Sequence, residues 1–315
     1  MADVTDPAFR RVIAKYGKLA RTGRGGPDVL WTEFVSADAL CHPEGKKKVL
    51  SMLKFSKIEK PIVAQLFTNH PDKLEQAAKL IVKLGFDGLD LNFGCPDKSI
   101  EKSGSGAVLI KNPKLARELI RAAKRGVAGK IPVSVKTRLG YNQDELETWL
   151  PELLAEEPVA ITIHARTRKE LSKVPARWER IKRAVEIRNE MKSRTLIIGN
   201  GDVTGLADAK QKAKKSGVDG VMFGRAIFGN PELFAPEQAA TAYSQKKKLK
   251  ILVEHTKLFE KVCQHKSFSV MKKHFKAYVT GWEGAKELRT HLMAQNNVKN
   301  VEKVIKDYLR LTGKR

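Results

Sequence analysis

The sequence predicts an α/β protein: a (β/α)8 barrel whose first strand is missing, followed by a C-terminal helical domain. Three observations carry this reading. Seven short apolar or β-branched runs recur roughly 25 to 45 residues apart, the size of a βα unit. The segments between them place apolar residues three and four apart and end near glycine, as amphipathic helices do. Beyond about residue 240 the strand signals stop and only the helical period continues.

The elements follow in order. "DPAFRRVIAKYG" (6–17) reads as the first helix, which leaves no room for a strand ahead of it. The strand runs are "VLWTEFV" (29–35), "PIVAQLF" (61–67), "GLDLNFG" (88–94), "PVSVKTR" (132–138), "AITIHAR" (160–166), "TLIIGNG" (195–201) and "GVMFGRA" (220–226). Helices such as "DKLEQAAKLIVKLG" and "KLARELIRAAKRG" separate them. Nearly continuous apolar strands alternating with helices predict a parallel sheet covered on both faces. An open doubly wound sheet is the alternative, and seven regular units favour the barrel. The expected domains are residues 1–238, the barrel, and 239–315, the helices.

Composition narrows the function. With 42% hydrophobic and 30% charged residues among 315, the chain reads as an ordinary globular protein. No apolar run approaches the roughly 18 residues of a membrane span. "MADVTDPAFR" lacks the basic and apolar regions of a secretory signal, so a cytoplasmic address is expected. Cys41, Cys95 and Cys263 are scattered and odd in number, which fits neither a disulfide framework nor a metal site. Sixty Lys and Arg against 35 Asp and Glu give a net charge of +25, which suggests a polyanionic partner. Residues 236–315 hold 18 Lys/Arg and 7 Asp/Glu, a net of +11, with Phe275, Tyr278 and Trp282 interleaved.

In a parallel barrel the active site is built at the carboxyl ends of the strands. The polar residues there are Gln65; Asn92 and Cys95; Lys136 and Arg138; His164 and Arg166; Asn200 and Asp202; and Arg225. "GNGD" (199–202) and "GR" (224–225) follow the last two strands, where barrels commonly hold a phosphate on backbone N–H groups. Lys136 and His164 can stabilise an anionic, electron-rich ring, the need of a reduced flavin. Gln65 can bond a flavin edge or cap a loop. Cys95 lacks partners for metal ligation and a base for nucleophilic activation; a protonated thiol suits a proton donor, and an inert buried cysteine is the other reading.

Set side by side, "MADVTDPAFR", "TEFVSADAL", "AQLF", "LNFGCPDKSIEKSGSGAVLIKNP", "VSVKTRLGY", "ITIHARTR", "IIGNGDV" and "GVMFGRAIFGNP" resemble the flavin-dependent tRNA dihydrouridine synthases, almost end to end across the barrel. The resemblance implies an FMN-bound TIM barrel followed by a helical tRNA-binding domain. Its activity would be reduction of the C5=C6 bond of a uridine in tRNA, with NADPH as electron source, by a monomer needing no metal. By position, Cys95 would be the general acid and Asn92 would lie beside the pyrimidine. Gln65, Lys136 and His164 would contact the isoalloxazine, and Asn200, Gly201, Asp202, Gly224 and Arg225 would surround the phosphate end. Arg138 and Arg166 would face the substrate. In "MKKHFKAYVTGW", Lys273 and His274 match a basic-histidine signature of the RNA-binding domain. The family carries a strand ending in Ala-Pro ahead of the residue matching Met1, which would itself touch the flavin, and a tyrosine and glycine after HxRTR that are absent here. A small-molecule flavin oxidoreductase and a non-catalytic RNA-binding protein are the alternatives; the first does not explain the basic tail, and the second leaves the strand ends unexplained.

Overall fold

The computed structural model describes residues 2–17, 26–235 and 244–312. In chain order its elements are α1 (Pro7–Gly17), β1 (Leu30–Ser36), α2 (Ala37–Cys41), α3 (Pro43–Val49), β2 (Ile62–Phe67), α4 (Pro71–Lys83), β3 (Gly88–Asn92), α5 (Lys98–Lys102), α6 (Pro113–Val127), β4 (Val133–Arg138), α7 (Leu146–Leu154), β5 (Ala160–His164), α8 (Trp178–Glu190), β6 (Leu196–Asn200), α9 (Leu206–Ser216), β7 (Gly220–Met222), α10 (Gln245–Val262), α11 (Val270–Tyr278), α12 (Ala285–Met293) and α13 (Val298–Thr312). All seven strands lie where the apolar runs predict them. Met1 falls outside the described residues.

The seven strands form one curled sheet in sequential order, β1 to β7, the α/β arrangement of a TIM barrel. From β2 to β7 every pairing is parallel. Local chemistry starts the helices between them: Pro71 and Pro113 sit in the first turns of α4 and α6, and Asn112 accepts from the Leu115 N–H. Asp97 caps α5 by accepting from the Ser99 N–H at 2.8 Å. All five residues of β3 are buried, as a strand covered on both faces requires.

Register sets the chemistry. Gln65, Asp90 and Ser134 are neighbours on β2, β3 and β4, and Asn92 pairs with Lys136. One row higher, Arg138, His164 and Asn200 are neighbours on β4, β5 and β6. Because side chains alternate along a strand, Asp90 and Asn92 share a face, as do Ser134, Lys136 and Arg138.

Packing divides the chain into two compact units, one comprising Trp31–Leu53 and Pro61–Ala226, the other Met1–Leu30, Lys54–Lys60 and Ile227–Arg315. In the second unit α1 packs with the C-terminal helices. The reason is the apolar face of α1: Ala8 and Val12 join a core formed by Leu252, Phe259, Met271, Phe275 and Tyr278. In that unit Arg10 and Glu59, both essentially unexposed, are joined at 2.8 Å. Arg10 also donates to the carbonyls of Thr5 and Lys54, so the buried charge is well satisfied. Among the described residues, no helix is long and apolar enough to cross a membrane, and no group of three potential metal-ligating side chains occurs.

Candidate active site

The strand-end residues converge within the sheet-bearing unit. The loop after β3 carries Cys95, partly buried. Its backbone is held from three sides. Asn92 Oδ1 accepts from the N–H groups of Gly94 at 3.2 Å and Cys95 at 2.9 Å. Arg138 Nε donates to the Gly94 carbonyl at 2.7 Å, and the Ala107 N–H donates to the Cys95 carbonyl at 2.9 Å. Gly106, at φ +69°, passes so close that an added Cβ would lie 2.8 Å from the Cys95 carbonyl oxygen. That close approach explains the second glycine of the "GSGA" segment. Burial pushes the Cys95 thiol pKa up; the Asp97 backbone and the charges of Arg138 and Lys136 only partly oppose it. The thiol therefore stays protonated at neutral pH.

Lys136, partly buried, points its charge into the same region. Burial first and then the neighbouring Arg138 charge push its pKa down to about 8. Among the described residues its ammonium has no hydrogen-bond or ion-pair partner. His164 lies beside it. Burial and the charges of Lys136, Arg138, Arg166 and Arg225 push the imidazole down to about 2, so it is neutral. Arg166 NH1 lies 3.1 Å from His164 Nε2, and because a guanidinium only donates, Nε2 accepts and the proton resides on Nδ1. His164 thus offers Nδ1–H as a donor.

The loops after β6 and β7 form the third part. Asn200 Nδ2 donates to the Met222 carbonyl at 2.8 Å, tying the two strand ends together. Gly201 adopts φ +126°, and a Cβ there would meet Ala176 Cβ at 2.8 Å and His164 Cδ2 at 3.2 Å. Asp202 accepts from Arg166, from the Ala176 N–H at 2.9 Å and from Arg225 at 2.9 Å. At Gly224 an added Cβ would meet nothing within 4 Å.

Three of the expected site residues are engaged or enclosed by the protein itself. Arg138, 7% exposed, donates to three backbone carbonyls, those of Gly94, Thr167 and Leu171, and so clamps two loops. Arg166, 2% exposed, is engaged with Val174, His164 and Asp202. His274 is fully buried, its ring 5.3 Å from that of Phe9, 5.7 Å from Phe228 and 4.6 Å from His255. Lys273 beside it is partly buried. Asp90 and Ser134, below the mouth, were not among the expected site residues, although a carboxylate inside an otherwise apolar strand, "GLDLN", is a signal for them.

Whether this mouth fits a flavin can be judged from its donors. Lys136, whose ammonium has no hydrogen-bond or ion-pair partner among the described residues, the imidazole N–H of His164 and the glycine turn after β6 follow one another at the carboxyl ends of neighbouring strands, donors suited to an electron-rich ring with a phosphate tail.

Comparison with known proteins follows the same direction. The family model described as "Dihydrouridine synthase (Dus)" matches residues 1–312. A "Probable tRNA-dihydrouridine synthase" of Staphylococcus aureus (strain COL) is 39% identical over 311 residues, covering 98% of this chain and 91% of the relative. "Probable tRNA-dihydrouridine synthase 2" of Bacillus subtilis (strain 168) is 39% identical over 313 residues, covering 98% and 92%. Among solved structures, histamine dehydrogenase from Rhizobium sp. 4-9 superposes with a TM-score of 0.52 at 12% identity, over 81% of this chain and 46% of that one, a likeness of fold alone.

Proposed function

The chain belongs to the dihydrouridine synthase family, and from that premise we propose that it reduces the C5=C6 bond of a uridine in tRNA, using bound FMN and electrons from NADPH. The observation that carries this reading is the Cys95 loop, its backbone held by Asn92 and Arg138, with Lys136, whose ammonium has no hydrogen-bond or ion-pair partner among the described residues, acting on the thiol.

A bound, reduced flavin would supply hydride equivalents for C6 of the uracil ring. The electron pair of the C5=C6 bond then resides on C5 and O4, and Cys95 delivers its proton to C5. The ring gains two hydrogens, and solvent returns a proton to the thiolate. Asn92 and Arg138 keep Cys95 in place by fixing the loop backbone. Lys136 and the Nδ1–H of His164 are the residues that would hold an anionic isoalloxazine, with Gln65 at its edge. Asn200, Gly201, Asp202, Gly224 and Arg225 would line the phosphate end, Arg225 supplying the exposed cation. Arg166 supports that end through His164 and Asp202. The basic helices α10 to α13 would hold the tRNA backbone through phosphates, with Lys273 at their surface. The base must leave its stack to reach a barrel mouth, so a flexible tRNA loop is the target.

The test is direct. Flavin-loaded protein, NADPH and tRNA lacking dihydrouridine should yield tRNA carrying two extra hydrogen atoms per modified base by mass spectrometry. Reduction of free uridine or an enone with none on tRNA would contradict the reading.

A further inference from the structure

We propose that Asp90 is a positioning residue for Cys95, an acceptor-only anchor that fixes the orientation of the acid-bearing loop through Gln65 and Asn92. The proposal rests on the reading of Cys95 as the proton donor.

Asp90 is 1% exposed, between Leu89 and Leu91 of β3, where a carboxylate is costly unless hydrogen-bonded. It is bonded: Ser134 Oγ donates to one oxygen at 2.5 Å and Gln65 Nε2 to the other at 2.6 Å. Burial pushes its pKa up to about 6, which leaves it ionised at neutral pH.

An ionised carboxylate has no hydrogen to donate, and this gives the chain of bonds one direction. Gln65 must turn its NH2 toward Asp90. Its Oε1 then faces Asn92, whose Nδ2 donates to it at 3.1 Å. Asn92 Oδ1 is thereby left for the N–H groups of Gly94 and Cys95. Reversing either amide would set acceptor against acceptor or donor against donor. Without the carboxylate, both amides can turn over, and Asn92 can present its NH2 to the loop's N–H groups, which it cannot bind. Lys136 is an alternative partner for Asp90, but among the described residues no hydrogen bond or ion pair joins them.

The experiment is a double-mutant cycle on dihydrouridine formation by pre-reduced, flavin-loaded enzyme in a single turnover, with tRNA affinity and flavin content measured alongside. Asp90→Ala should slow the reaction by roughly tenfold or more. In the Cys95→Ala background the same change should cost no more than about twofold, because the residue it acts through is gone. Asp90→Asn should stay within a few-fold of wild type, since its amide oxygen can still accept from Gln65 while its NH2 donates to Ser134. Full multiplication of the two single effects would overturn the proposal, as would an Asp90→Asn enzyme as slow as Asp90→Ala. Should Asp90→Ala not fold, Asp90→Leu, which keeps the volume and offers Gln65 no acceptor, enters the same cycle with the same expected result and the same overturning result. A Cys95→Ala enzyme as fast as wild type would instead overturn the acid reading, and this proposal with it.

Discussion

Arg138 Nε donates to the carbonyl of Gly94 at 2.7 Å, and the same guanidinium reaches the carbonyls of Thr167 and Leu171. One buried cation thus fixes the peptide before the candidate acid and the loop after β5. Replacing Arg138 with Ala leaves these carbonyls without their donor, at a cost of about 2–3 kcal/mol in stability. The expected outcome is a lower urea midpoint together with slower dihydrouridine formation. Arg138→Lys should recover only part of both, because an ammonium lacks the planar fork that spans the two loops.

The pH profile follows from two groups. Asp90 is ionised above about 6 and Lys136 is charged below about 8. The Cys95 thiol, raised by burial, is protonated through that window. Turnover by pre-reduced enzyme should therefore decline as pH rises through 8, when Lys136 loses its proton, with no more than a few-fold change near pH 6, because a protonated Asp90 can still accept from Gln65. Lys136→Met should remove the upper decline, lower the plateau by roughly tenfold, and make the bound flavin harder to reduce, since a cation favours the anionic reduced ring. An unchanged flavin potential would place Lys136 elsewhere.

Two glycines at the phosphate end should behave differently. Gly201 combines φ +126° with a Cβ clash at 2.8 Å against Ala176. Gly201→Ala should cost roughly 1–3 kcal/mol of stability and loosen flavin binding. Gly224 has open space where a Cβ would go, so Gly224→Ala should leave the urea midpoint unchanged and weaken only flavin affinity, measured by fluorescence titration.

His274 offers a test of the helical unit. Neither of its ring nitrogens has a hydrogen-bond partner among the described residues, and His255 Nε2 is likewise unpaired. His274→Phe should leave tRNA affinity unchanged and stability unchanged or about 1 kcal/mol higher. Burial holds His255 down to about 3 and His274 well below its ordinary value. The unfolded chain therefore takes up protons that the folded one does not, and stability should fall as pH drops below about 6.5. His274→Phe should flatten that loss. Charge reversal at Lys272, Lys273 and Lys276 should instead weaken tRNA binding and reduce its salt dependence, by about 0.7 to 0.9 log units per log unit of salt for each lost phosphate contact.

The strands were legible because each is a short apolar run, and the residues at their ends because a parallel sheet gathers its carboxyl termini. What single residues do there was less legible. Arg138, Arg166 and His274 are polar side chains in motifs, and sequence alone gives no measure of exposure; packing turned the first two inward as clamps and buried the third among Phe9, Phe228 and His255. The helix α1 reads correctly as a helix, yet its pairing with α10 to α13 spans more than two hundred residues of chain, and no local period encodes such a contact. Asp90 was passed over as strand interior, although its register with Gln65 and Ser134 gives it partners.

In the proposed reaction Cys95 delivers a proton and does nothing else. It is tested by following a single turnover of tRNA on pre-reduced Cys95→Ala and wild-type enzyme. Cys95→Ala should bind flavin and tRNA normally and be reduced by NADPH at the wild-type rate, yet form dihydrouridine about 10²- to 10⁴-fold more slowly. A Cys95→Ala enzyme that forms dihydrouridine as fast as wild type would contradict it.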